Sequence, residues 1–279
     1  MKIKNHKLEA EAKEIISFQK SPNTSGAFGS GQPDTIVIHY TAGGSLESSV
    51  RWLLKPEAKA SAHLVVGKDG EIVQLVPFNT IAWHAGKSSW KGRSSLNRFS
   101  LGIEIDNAGI LEKRVDGYYT YFGKKIAPEN IVLATHKNKT SEMAWEAYTA
   151  EQIETVEAIC LVIKAHYAIT EIVGHEDIAP TRKTDPGPAF PLQKMAEKIM
   201  QGRKDDEGPT DEEEEAIDNG FAMVTADALN IRSQANGSAS KVANPLPKGT
   251  VVKILKTEGN WSKVRRVTEG WVGSKWLKK

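Results

Sequence analysis

Between residues 203 and 218 the chain carries Asp205, Asp206, Glu207, Asp211, Glu212 to Glu215 and Asp218, with Gly208 and Pro209 among them and almost no apolar side chains. Such a stretch repels itself and has nothing to bury, so it predicts an extended acidic linker over 203–219 with a folded unit on either side. The division leaves 1–202, long enough for a sizeable core, and 220–279, which is near the lower limit for a core that folds unaided. The second unit is basic: from 220 to 279 there are 11 Lys or Arg against 3 Asp or Glu, a formal +8 that calls for an anionic partner.

Hydrophobic residues at 39% and charged residues at 26% describe a soluble globular protein, and no apolar run approaches the roughly 20 residues of a membrane-spanning helix. Glu9, Glu11, Lys13 and Glu14 interrupt any apolar run near the N-terminus that a signal peptide would need. The expectation is synthesis in the cytoplasm, with any action outside it only after a non-classical release. A single cysteine, Cys160, excludes an internal disulfide framework and sits at a core position of a helical pattern.

Within the first unit, Thr35-Ile-Val-Ile-His39 is rich in β-branched residues and reads as a buried strand ending on a histidine. Ser45 can cap a helix bearing Leu46, Val50, Leu53 and Leu54 before Pro56. Two strand-like runs, His63 to Val66 and Glu71 to Val76, flank a turn at Lys68-Asp69-Gly70. Leu101, Ile103 and Ile105 alternate with Ser100, Gly102 and Glu104, so this strand points Glu104 away from its apolar side. Thr149 and Gln152 form a capping box ahead of Ile153, Val156, Ile159, Cys160 and Ile163. A strand over Glu171 to Val173 runs into Gly174-His175, and Pro191 opens a last helix with Met195 and Ile199 on one side. Interleaved strands and helices predict an α/β unit, one mixed central sheet flanked by helices. The short runs after residue 220, broken by Gly, Pro and Asn, predict a small all-β barrel.

His39, His175 and Asp185 stand at element ends rather than inside apolar faces. Two imidazoles and a carboxylate are a ligand set that zinc accepts while leaving a fourth position for water. Glu104 is placed to act as general base, and Lys183, two residues before Asp185, can stabilise an oxyanion.

Five segments taken in order, Ile36-Val-Ile-His-Tyr-Thr-Ala-Gly43, Ser61-Ala-His-Leu-Val-Val66, Ala82-Trp-His-Ala-Gly86, Leu101-Gly-Ile-Glu-Ile105 and Gly174-His-Glu-Asp-Ile-Ala-Pro-Thr-Arg-Lys-Thr-Asp-Pro-Gly-Pro188, resemble the motifs of type-2 N-acetylmuramoyl-L-alanine amidases. These share a fold with the peptidoglycan recognition proteins. The resemblance implies one Zn²⁺ per chain bound by His39, His175 and Asp185, with Glu104 as catalytic base and Lys183 supporting the oxyanion. An aspartate as third ligand, where some relatives use cysteine, is similar to the recycling branch. His63 and His84 are expected to line the substrate cleft, and Trp83 and Trp90 to stack on sugar faces. His136 and His166 read as structural or exposed, and His6 as part of a tail. Leu229-Asn-Ile-Arg232, Pro247-Lys-Gly249, Gly259-Asn-Trp261 and Gly270-Trp-Val272 resemble bacterial SH3 domains, whose family role is attachment to the cell wall.

Together these readings imply hydrolysis of the amide between N-acetylmuramic acid and L-alanine, with wall polymer favoured as substrate. The competing readings are a cytosolic recycling amidase acting on soluble (anhydro)muropeptides, or a peptidoglycan-binding protein without turnover. The expected partners are peptidoglycan or muropeptides. The expectation includes no nucleic acid and no membrane span, and the chain is expected to be a monomer.

Overall fold

The computed structural model describes residues 1–12, 14–201, 221–225, 228–236, 239–242, 246–247, 250–258 and 261–266. The chain divides into two compact units, Met1–Arg203 and Lys204–Lys279. The acidic stretch at 203–219 lies outside the described residues, as does the Gly270-Trp-Val272 motif.

The first unit is built on six strands: β1 (Ile16–Phe18), β2 (Thr35–Tyr40), β3 (Leu64–Val66), β4 (Ile72–Gln74), β5 (Ser100–Ile105) and β6 (Glu171–Gly174). They form one sheet in the order β6-β2-β5-β3-β4-β1. β2 lies parallel to both β5 and β6, and only the β3–β4 pairing is antiparallel, so the sheet is mixed as the sequence implies. β2 and β5 are central and buried on both faces, which suits their β-branched and apolar composition.

The two faces of these central strands differ. Ile36, Ile38, Leu101, Ile103 and Ile105 point into the main core, where they meet Val156, Ile159 and Cys160 of α2 (Ala150–His166) and Met195 and Ile199 of α4 (Leu192–Gln201). The opposite face carries Val37, His39, Gly102 and Glu104, because side chains alternate along a strand. Part of this second face is covered by α1 (Leu46–Leu53), whose Leu46, Val50 and Leu53 pack on Val65 and Val73. Both capping boxes form, Ser45 with Ser48 at α1 and Thr149 with Gln152 at α2. The Thr149 hydroxyl also donates to the Lys68 carbonyl at 2.7 Å, which pins α2 to the turn between β3 and β4.

Two regions depart from the sequence reading. The N-terminal segment is no tail: Lys2–Lys4 pairs with Lys7–Glu9 in a hairpin, Leu8 is buried in the main core, and His6 bonds the Tyr167 hydroxyl at 2.7 Å. Between β5 and α2 lies a second sheet of five short antiparallel strands, from Ile110–Arg114 to Glu142–Glu146. Its strands are only two to five residues long, too short for the sustained alternation by which a strand announces itself.

In the second unit, Phe221–Met223, Val251–Glu258 and Trp261–Arg266 form a three-stranded antiparallel sheet, and Ala228–Leu229 pairs with Leu246–Pro247. Val224, Leu246 and Val252 are its buried residues among those described. Among the described residues no helix is long and apolar enough to cross a membrane.

Candidate metal centre

β2 delivers His39 one residue before its C-terminal end, with 1% of its surface exposed. β6 ends at Gly174, so His175 opens the short helix α3 (His175–Ile178) beside it. The chain then returns through 179–184, and the Glu176 amide donates to the Asp185 carbonyl at 2.9 Å, fixing Asp185 opposite the two histidines. His39 Nδ1 lies 2.9 Å from His175 Nδ1 and 3.0 Å from Asp185 Oδ2, and His175 Nδ1 lies 2.9 Å from the same oxygen.

Neighbouring groups decide which of these atoms carry protons. The Ser100 hydroxyl donates to Leu96, so both its oxygen, at 3.3 Å, and the Ser100 carbonyl, at 3.2 Å, can only accept from His84 Nε2. A neutral His84 therefore presents a bare Nδ1, which accepts from His39 Nε2–H at 3.0 Å and leaves His39 Nδ1 bare in turn. The Ala85 carbonyl, 3.1 Å from His175 Nε2, likewise places the proton there and bares His175 Nδ1. Burial holds His39 down at about 4 and His84 well below its ordinary value, which keeps both rings neutral. Three lone-pair-bearing atoms thus face one another with no proton between them. That arrangement asks for a cation. Three donors about 2.05 Å from one centre at tetrahedral angles stand roughly 3.3 Å apart, a few tenths of an ångström wider than these contacts. Among the described residues this is the group whose chemistry and closeness, all three ligand atoms within 4.8 Å of one another, can hold a metal ion.

Glu104 is the Cα partner of His39 across the parallel β2–β5 pair, and the two side chains share a face. Its Oε2 is closed off from solvent with no hydrogen-bond partner. Burial, then Asp185, push its carboxyl well above the ordinary range, against the opposing pull of the half-buried Lys183 ammonium. The structure therefore gathers His39, His175, Asp185, Glu104 and Lys183 in one place.

The four residues expected to bind substrate fall differently. His63 is fully buried, accepts from the Gly102 amide at 3.0 Å and donates to the Thr80 carbonyl at 2.9 Å, so neither nitrogen is offered to a ligand. His84 is at the centre but behind it, spending both nitrogens on His39 and Ser100. Gly102 makes room for it, since a Cβ there would stand 2.3 Å from His84 Cγ. Trp90 packs against Val37, Val173 and Ile178 and donates to Glu171, at the end of β6 remote from His175. Trp83, half-buried beside His84, donates to the Ser25 hydroxyl at 2.6 Å.

Two supports were given no part in the site by the sequence reading. Arg182 donates to the Ala85 and Lys87 carbonyls at 3.2 and 2.9 Å, tying the loop that orients His175. His136 is buried against Trp145 and donates to Glu176 Oε2 at 2.5 Å, and the same oxygen accepts from the Gly187 amide at 3.2 Å. That pair braces the loop carrying Asp185.

The profile of N-acetylmuramoyl-L-alanine amidases matches residues 29–188, which contain all five gathered residues. The chain belongs to this family. A bacterial SH3 domain profile matches 227–278. Over 134 residues the chain is 37% identical to the 1,6-anhydro-N-acetylmuramyl-L-alanine amidase AmpD of Salmonella typhimurium (strain SL1344), covering 47% of this chain and 53% of that protein. Over 170 residues it is 34% identical to the N-acetylmuramoyl-L-alanine amidase AmiD of Escherichia coli K12, covering 58% of this chain and 51% of that protein. The chain thus spans about half the length of these curated relatives. The solved structure of E. coli AmiD with anhydro-N-acetylmuramic acid-L-Ala-D-γ-Glu-L-Lys superposes with a TM-score of 0.46 at 28% identity, over 78% of this chain and 69% of that one.

Proposed function

We propose that this protein is a zinc-dependent amidase that hydrolyses the bond between N-acetylmuramic acid and L-alanine in peptidoglycan, acting on wall polymer. The observation that carries the reading is the convergence of three unprotonated ligand atoms beside a carboxylate with an unpartnered buried oxygen. His39 Nδ1, His175 Nδ1 and Asp185 Oδ2 would hold the ion. When bound, zinc supplies Lewis acidity that polarises a carbonyl and makes water a usable nucleophile near neutral pH. Glu104 Oε2 takes the proton from the attacking water and passes it to the departing amine of L-alanine. The Lys183 ammonium offsets the negative charge that gathers on the carbonyl oxygen as the carbon becomes tetrahedral. His84 and the Ala85 carbonyl keep the two imidazoles in the ligating tautomer throughout.

Polymer is favoured as substrate because the chain carries a second unit matched by a bacterial SH3 profile. A soluble 1,6-anhydro-muropeptide is the second reading, supported by the name of the S. typhimurium relative. Mass spectrometry after incubation with intact sacculi, with and without chelator, separates the two. Free stem peptides beginning with L-alanine, lost on chelation and restored by zinc, are the expected products. No release from sacculi alongside cleavage of a soluble anhydro-muropeptide would establish the second reading, and no cleavage of either by a zinc-loaded chain would end both.

A further inference from the structure

β2 ends on two consecutive residues that reach the metal centre by different routes. His39 faces it directly, while Tyr40 points to the other face of the sheet and packs its ring against the main core. Gly109 makes the bed for that ring: its φ is +73°, and a Cβ there would stand 2.4 Å from Tyr40 Cζ. The bed is itself fixed, since the Gly109 amide donates to Asn107 Oδ1 at 2.7 Å and its carbonyl accepts from the Glu146 amide at 2.9 Å. The Tyr40 hydroxyl so placed shares a hydrogen bond of 2.8 Å with the Thr184 hydroxyl. Thr184 stands between Lys183 and Asp185. On the other side of Asp185, the Tyr148 hydroxyl donates to the Pro186 carbonyl at 2.8 Å. That second tie needs only a backbone carbonyl, which any residue at 186 would offer; the first needs a hydroxyl at 184.

We infer that Tyr40 is a positioning residue of the metal centre, acting through Thr184 to hold the ligand Asp185 and the ammonium-bearing Lys183 in place together. The chain joins His39 to Tyr40, a hydrogen bond joins Tyr40 to Thr184, the chain joins Thr184 to Asp185, and Asp185 Oδ2 returns to His39 Nδ1 at 3.0 Å. These four links close a ring. Opening it at the Tyr40 hydroxyl releases the segment that carries Lys183 and Asp185 and leaves the strand that carries His39 where it was. The inference rests on the zinc reading of the centre.

The test is a double-mutant cycle on the full chain with Tyr40→Phe and Thr184→Val, each of which keeps the shape of its side chain and removes one hydroxyl. Zinc affinity, read by chelator competition, falls about tenfold in either variant. The double variant binds no more weakly than the single ones, because both break the same bond. Thr184→Ser, which keeps the hydroxyl, binds zinc as the wild type does. With zinc saturating, either single variant still lowers kcat on the substrate that the wild type cleaves and leaves KM unchanged, since Lys183 is displaced along with Asp185. A tether that serves folding alone lowers the melting temperature of the metal-free chain and leaves zinc affinity where it was. That result, or losses that add in the double variant, overturns the inference, and a kcat fully restored by excess zinc overturns the joint hold on Lys183 and Asp185. Failure of the zinc reading shows separately, as a wild-type chain that takes up no zinc.

Discussion

Glu104, whose Oε2 is closed off from solvent, and the fully buried His63 are titratable side chains on the same side of the sheet, and they have opposite fates. Glu104 keeps an oxygen without a partner, so Glu104→Gln, which preserves shape, is expected to lower kcat by about 10² to 10⁴ while zinc content measured by mass spectrometry stays at one per chain. His63 has partners on both nitrogens and is held neutral by burial, at about 4. Between that value and 6.5 the unfolded chain binds a proton that the folded chain does not, so stability rises with pH across this window and is complete above it. The loss on acidification from this one ring is about 3 kcal/mol. Its NMR resonances should not titrate above about pH 5; a His63 that titrates near 6.5 would contradict the buried assignment. His39 and Glu104 were legible in the sequence because a strand signal placed each at a known point of a known face. The roles of His63 and His84 were not, because whether a histidine lines a cleft or props a neighbour depends on partners such as Ser100 and Gly102, which touch it only after folding.

At the scale of elements, the same divide holds between patterns that are local and patterns that are not. The Ser45 cap and the Thr149–Gln152 capping box could each be read from a few consecutive residues, and both form, Ser45 closing a box with Ser48 as well. Thr149 does more than cap, since it also bonds the Lys68 carbonyl, and Thr149→Ala should cost about 1 to 2 kcal/mol, seen as a fall of several degrees in the melting temperature of the first unit. The five-stranded sheet between β5 and α2 had no comparable signature. Its Trp145 stacks on His136, which in turn bonds Glu176 forty residues on, an arrangement that leaves no periodic trace. Gly102 belongs to this scale as well. Gly102→Ala would force the His84 ring from its place between Ser100 and His39, and zinc affinity measured by chelator competition should fall by roughly 10-fold to 100-fold, the loss usual when a ligand's hydrogen-bonded support is disturbed.

For the whole molecule, two compact units with separate cores imply two unfolding events. Zinc at a hundred times its dissociation constant should stabilise the first by about 2.7 kcal/mol and leave the second unmoved, a contrast that calorimetry with and without chelator can read. If both transitions moved together, the units would not be energetically independent. Inside the first unit, the spacing between His39 and Glu104 is not set by either side chain. The two residues are rungs of one ladder on neighbouring parallel strands, so their separation is the sheet's own strand repeat of about 4.8 Å. The long connections joining those strands can gain, lose or exchange residues without altering that interval. The proposed hydrolytic chemistry would therefore be insulated from change in the loops around it, and a lineage could try new substrates at its rim while the geometry at its floor stayed as it was.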